Sequence, residues 1–149
     1  MQVIVLNVVH QCCGPAFSEF CFAPADGTRG GILIAWRADD LAISARFVSP
    51  CSVVVHGIMP RTQKSINLIA VYGPQADNQK AVFLQSLNDT ISANLPAATA
   101  TIIARDFNLI VKASDKNNQN INRRNMAAFR GFINDLQLKD LYLHGRRYT

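Results

Sequence analysis

The residues best suited to chemistry cluster in Thr101-Ile102-Ile103-Ala104-Arg105-Asp106-Phe107-Asn108. A short apolar run, Thr101 to Ala104, reads as a buried strand that runs out into polar residues. If the chain stays extended there, i and i+2 face one side. Asp106 and Asn108 then project together, with Phe107 packed behind them. A carboxylate beside an amide can take a proton from water and hydrogen-bond a phosphoryl oxygen. The same residues also fit an Asx turn closing a strand, and spacing alone favours that simpler structure. Tyr72 ends a second strand, just before Gly73-Pro74. Its phenol could hydrogen-bond a phosphate, or it could be a rim tyrosine with a buried ring and a wet hydroxyl.

Other reactive types are sparse. Of ten acidic residues only Glu19 is a glutamate, so any multi-carboxylate mechanism must draw on aspartates. Cys12, Cys13, Cys21 and Cys51 form no CxxC pair, and no histidine stands at zinc-finger spacing from them. They read as reduced thiols, small hydrophobes of an intracellular protein. His10, His56 and His144 read as surface or packing residues.

The elements that must position Tyr72 and Asp106 follow from hydrophobic patterning. Val3 to Val9 is rich in β-branched residues and reads as a strand, although so short an apolar run also fits a buried helix end. Further strands are expected at Phe17 to Ala23, Gly31 to Arg37, Leu41 to Ser49, Ser52 to Met59 and Ser65 to Tyr72. The last is apolar on both faces, as expected of a strand covered on both sides. A helix fits Asp77 to Leu95, with Asp77 as N-cap and Leu84, Leu87, Ile91 and Leu95 as its apolar stripe. A polar loop holding Asn117, Asn118, Asn120 and Asn122 leads to a second helix, Arg123 to Leu136. Its expected core stripe is Met126, Phe129, Ile133 and Leu136, with Arg123, Arg124 and Arg130 pointing elsewhere. Two short extended pieces close the chain, Leu141 to Leu143 and Arg147 to Thr149. Strands followed by alternating helices and strands predict an α/β (α+β) sandwich of mixed sheets with helices outside.

With 149 residues, 49% hydrophobic and only 17% charged, the chain has the material for one packed domain and is unlike a disordered one. No apolar run reaches the ~18 residues of a bilayer span. The N-terminal MQVIVLNVV has no basic residue before its apolar run and no small-residue cleavage site, so no signal peptide is expected. These features predict an intracellular protein of cytoplasm or nucleus, with no membrane and no small-molecule cofactor. The net charge of +5 is uneven. Residues 1–100 hold six basic and six acidic residues, whereas residues 101–149 hold nine basic and four acidic. A basic segment attracts phosphate backbones, so DNA is one possible partner, and a solvated surface that happens to be arginine-rich is the simpler reading.

Six short motifs in order carry a resemblance across nearly the whole chain. They are PADGTRGGILIAW from Pro24, VYGP at 71–74, DFNLI at 106–110, DKNN at 115–118, MAAFRGFINDLQLKDL at 126–141, and the closing GRRYT. Together they resemble the endonuclease domain of plant LINE-type (non-LTR) retrotransposon reverse transcriptase polyproteins. That domain belongs to the endonuclease/exonuclease/phosphatase family with the DNase I-like fold.

The resemblance implies a four-layer α/β sandwich and Mg²⁺-dependent hydrolysis of a DNA phosphodiester. By position, Asp106 matches the aspartate that orients or deprotonates the water. Asn108 matches an asparagine of the phosphate site, and Tyr72 a tyrosine that hydrogen-bonds the phosphate. Thr149, with Arg146 and Arg147 before it, matches a DNA-contacting segment.

The departures are equally specific. The family's first strand with its asparagine has no counterpart, nor has the Gln-Glu-Thr-type motif whose glutamate is the principal metal ligand. Glu19 stands too late in the order to replace that glutamate. The closing Ser-Asp-His motif is also missing. Arg105 occupies the usual glycine position before the aspartate, where a bulky cation should strain the strand end or push it outward. The expectation is therefore a single incomplete domain over 1–149, truncated at both ends and catalytically inactive, with no assignable metal ligand set. The alternatives are an active Mg²⁺ endonuclease and a non-catalytic nucleic-acid-binding remnant. Incomplete sheets also predict self-association through exposed strand edges.

Overall fold

The structure, a computed structural model, describes residues 4–27, 30–115 and 120–141, with only the backbone described at Arg105. It is a mixed α/β protein whose described residues form two sheets and three α-helices. The chain divides into two compact units, Met1–Leu109 and Ile110–Thr149.

In the first unit, α1 (Leu6–Cys13) replaces the strand expected over Val3 to Val9. Among the described residues of this segment, 4–9, only Val9 is fully buried, while Val5, Leu6 and Val8 are exposed. A single inward position suits a helix turn better than a strand with a buried face. Gly14, at φ 103, ends the helix, and its N–H donates to the His10 carbonyl.

The strands stand close to their expected places because aromatic and β-branched runs are bounded by turn residues. β1 (Glu19–Ala23) and β2 (Ile32–Trp36) form an antiparallel hairpin. β3 (Ala42–Ser49), β4 (Ser52–Met59), β5 (Lys64–Tyr72) and β6 (Ala100–Asp106) form a sheet in that order. The first two pairings are antiparallel, and β5–β6 is parallel. A parallel neighbour requires a crossover, and α2 (Asp77–Asn94) supplies it.

One face of this sheet, with Val53, Val55, Ile66, Leu68 and Ala70, packs against Cys21, Ala23, Ile32 and Trp36 of the hairpin. The opposite face buries Ser52, Val54, Asn67, Ile69 and Val71. Since the hairpin takes the first face, the crossover helix lies on the second, where its buried Leu84, Leu87 and Ile91 match the expected stripe. The Leu68-to-Tyr72 segment is thus covered on both sides.

Two local expectations are corrected. Asp77 is the first residue of α2 rather than its cap. The N-cap is Ala76, which makes no side-chain cap bond. Asp77 instead pairs with Lys80 one turn on, at 2.7 Å. β6 is longer than Thr101 to Ala104 and is not buried: Ile102 is 46% exposed. It is an edge strand, so its Ile102–Ala104 face has no neighbouring strand beyond it among the described residues.

In the second unit, the Asp115 carboxylate accepts the Val111 and Lys112 N–H groups at 3.3 and 3.0 Å. α3 (Arg123–Asp135) opens on Asn122, whose side chain accepts the Asn125 N–H. Its buried residues are Asn125, Phe129 and Phe132, a stripe rotated from the expected Met126–Phe129–Ile133–Leu136. Phe129 and Phe132 stack at 6.5 Å, so the larger ring at position 132, not Ile133, sets the inward face. The extended pieces expected at Leu141 to Leu143 and Arg147 to Thr149 lie, past Leu141, outside the described residues.

Candidate functional site

β5 and β6 end together. In their parallel register Tyr72 pairs with Asp106, and register partners on neighbouring strands project to the same face. The Gly73 N–H extends the ladder by one bond, donating to the Asp106 carbonyl at 2.7 Å. Gly73 is required for this closure. A Cβ on it would overlap the Phe107 carbonyl, so only glycine lets the two chains approach so closely. Phe107 itself is buried and packs on Phe83 of α2, with ring centroids 6.0 Å apart. Behind Tyr72, the backbone N–H of that residue donates to the Cys51 carbonyl at 3.0 Å.

The extended projection of Asp106 and Asn108 does not hold. β6 stops at Asp106, and Asn108 adopts φ 51, in the left-handed region. Its N–H donates to Asp106 Oδ1 at 3.1 Å, which is the Asx turn that spacing alone had favoured. The side-chain amide of Asn108 turns back across the strand ends, and Nδ2 donates to the Gly73 carbonyl at 2.8 Å. Asparagine suits this position because it tolerates a left-handed backbone.

Tyr72, Asp106 and Asn108 are therefore brought together at one end of the sheet. Asp106 is exposed and Tyr72 half-buried, so a carboxylate and a phenol share a wet rim. One carboxylate oxygen is engaged by the turn, which leaves Oδ2 for water or substrate. Asn108 serves as a tie between the strands, with its donor directed inward.

Thr149, Arg146 and Arg147 lie outside the described residues, as does His144. The side chain of Arg105 is likewise not described, but the backbone pairing runs unbroken through Val71–Arg105 to Tyr72–Asp106. Glu19 opens β1 opposite Trp36, in the hairpin rather than at the rim. His10 lies in α1, and His56 lies in β4 with Nδ1 2.7 Å from Asn67 Oδ1. None of the four cysteines is in a disulfide: Cys12 and Cys13 are exposed, Cys21 is buried and Cys51 lies between. Burial pushes the Cys21 thiol up, against a smaller opposing effect of Arg46.

Among the described residues no three His, Cys, Asp or Glu side chains gather as a metal site. The rim's donor set does not suit Mg²⁺ either. Mg²⁺ takes octahedral oxygen ligation built on one or two carboxylates plus substrate phosphate, and among the described residues the rim offers the least of that, one carboxylate with a single oxygen left outside the turn.

Two features escaped sequence reasoning. Gly73 could have been suspected from Gly-Pro following a strand, but its contact depends on the partner chain. The polar chain His56–Asn67–Thr101 crosses β4, β5 and β6, with Asn67 only 1% exposed. Nothing in the alternation of Ser65 to Tyr72 announced it. No protein-family model matches the sequence, and no curated protein is recognisably similar to it. No helix among the described residues is long and apolar enough to cross a membrane.

Proposed function

We propose that the chain is a relative of the Mg²⁺-dependent DNA endonucleases of non-LTR retrotransposons, with a DNase I-like α/β fold and a catalytically silent rim at Tyr72 and Asp106. The observation that supports this best is the Tyr72–Asp106 pairing at the end of the parallel strands, tied by Asn108. It gathers three positions that the resemblance assigns to phosphodiester chemistry.

Silence follows from what accompanies them. Asp106 can orient a water through Oδ2, and the Tyr72 hydroxyl can hold a phosphate oxygen. Neither supplies the charge neutralisation that phosphoryl transfer needs from a metal ion. Among the described residues, no glutamate reaches the rim and no histidine is placed there to protonate a leaving oxygen. The test is plasmid nicking with Mg²⁺. Wild type and Asp106→Ala should leave the supercoiled form equally intact. Nicking by wild type that Asp106→Ala abolishes would overturn the inactive assignment.

The excess of nine basic over four acidic residues in 101–149 favours a further property, contact with nucleic acid without cleavage.

A further inference from the structure

We infer that α3 presents an arginine face that docks on the phosphate backbone of duplex DNA. Arg123, Arg124, Ala127, Arg130 and Asn134 fall on one side of the helix by its 3.6-residue period, and all five are exposed. The opposite side carries Asn125, Phe129 and Phe132, which are buried. Ala127 stands between the arginines and Gly131 follows the last of them, so no bulky side chain on this side keeps a phosphate strand at a distance.

No carboxylate among the described residues neutralises the charge on this face. In the first unit, Arg37 and Arg61 pair with Asp40, Lys80 with Asp77, and Arg46 lies over the Trp36 ring at 5.5 Å. Among the described residues, Arg123 and Arg124 pair with no carboxylate. Arg130 is held by bonds from Nε to the Val111 carbonyl and from Nη2 to Met126 Sδ, which orient its fork without neutralising it. Arg123 and Arg124 are also the first two residues of the helix, whose first turn holds no acid. A cation there opposes the helix macrodipole, which favours anions at that end. Two arginines thus stand where helix stability alone would place aspartate or glutamate.

An anionic partner relieves that conflict. Guanidinium groups grip phosphate bidentately. A lipid surface is the poorer fit, because interfacial helices insert exposed large apolar side chains, and those of α3 are turned inward. The choice of DNA over other polyphosphates rests on the nuclease relationship proposed above.

The test uses the full chain and a labelled duplex in fluorescence anisotropy across a salt series. Arg123→Ala/Arg124→Ala should weaken binding at least about tenfold and reduce the slope of log K against log salt by about 1.8. Its melting temperature should stay level or rise, because the substitution removes charge that opposes the dipole. A structural role for the arginines would lower it. The control Arg61→Ala/Lys64→Ala removes as much charge from the first unit and should change binding less than about twofold. Equal effects of the two double variants, no binding by wild type, or arginine-dependent binding only to phosphatidylserine/phosphatidylcholine vesicles would each overturn the proposal. These outcomes are independent of plasmid nicking, so the α3 face can fail while the account of the Tyr72–Asp106 rim stands.

Discussion

Gly73 and Phe107 lie so close that the Gly73 Cα has no room for a methyl group beside the Phe107 carbonyl. This contact closes the end of β5 onto the end of β6 and sets Tyr72 beside Asp106. Gly73→Ala should therefore cost about 1–3 kcal/mol, the range for overpacking a fitted site. A urea melt checks it. The loss should show as a lower midpoint with an unchanged slope.

Asn108 contributes through both its backbone and its amide. Asn108→Gly keeps the left-handed conformation and loses only the bond to the Gly73 carbonyl, at a cost of about 1 kcal/mol. Asn108→Ala loses the same bond and adds about 1–2 kcal/mol for a Cβ in the left-handed region. The expected order of stability is wild type, then Gly, then Ala. Equal melts for the two variants would show that the turn relaxes at no cost.

The polar chain across the sheet has a fixed direction. The Thr99 carbonyl can only accept, so the Thr101 hydroxyl donates to it and receives Asn67 Nδ2–H at 3.0 Å. Asn67 Oδ1 must then accept from His56 Nδ1–H. Asn67→Leu leaves the half-buried His56 and Thr101 without this partner and should cost about 1 kcal/mol. An NMR measurement of the imidazole nitrogens should find the proton on Nδ1 of His56 in the neutral form. A proton on Nε2 would break the chain of assignments.

Thiol reactivity should split by burial. Cys12 and Cys13 are exposed on α1 and should react first with a disulfide reagent. Cys21 should lag until the chain unfolds, because burial both shields it and raises its pKa, which lowers its thiolate fraction. A fast reaction at Cys21, read by mass spectrometry of the labelled peptides, would mean that the β1–β2 hairpin opens readily.

Much of the fold was legible because its signals are local. The β-branched runs from Leu41 to Tyr72 and the 84–87–91–95 stripe of α2 need no partner to be read. The errors arose where a partner decided. Val3 to Val9 has strand-like composition, yet among its described residues only Val9 finds a buried place, and a helix turn results. β6 read as buried because Ile102 and Ile103 are adjacent isoleucines, but its edge position leaves Ile102 open. At the rim, residue types showed that Asp106 and Asn108 belong together. They did not show that Asn108 reverses the backbone and spends its amide on Gly73, since that bond joins residues 35 apart in sequence.

The proposed function makes the Tyr72–Asp106 rim a phosphodiesterase-like site that holds no metal ion. A titration of the chain with Mn²⁺, followed by electron paramagnetic resonance of the free ion, tests it most directly. The free-ion signal should rise with each addition as it does in buffer, identically for wild type and Asp106→Ala. A stoichiometric loss of that signal in wild type, restored by Asp106→Ala, would contradict it.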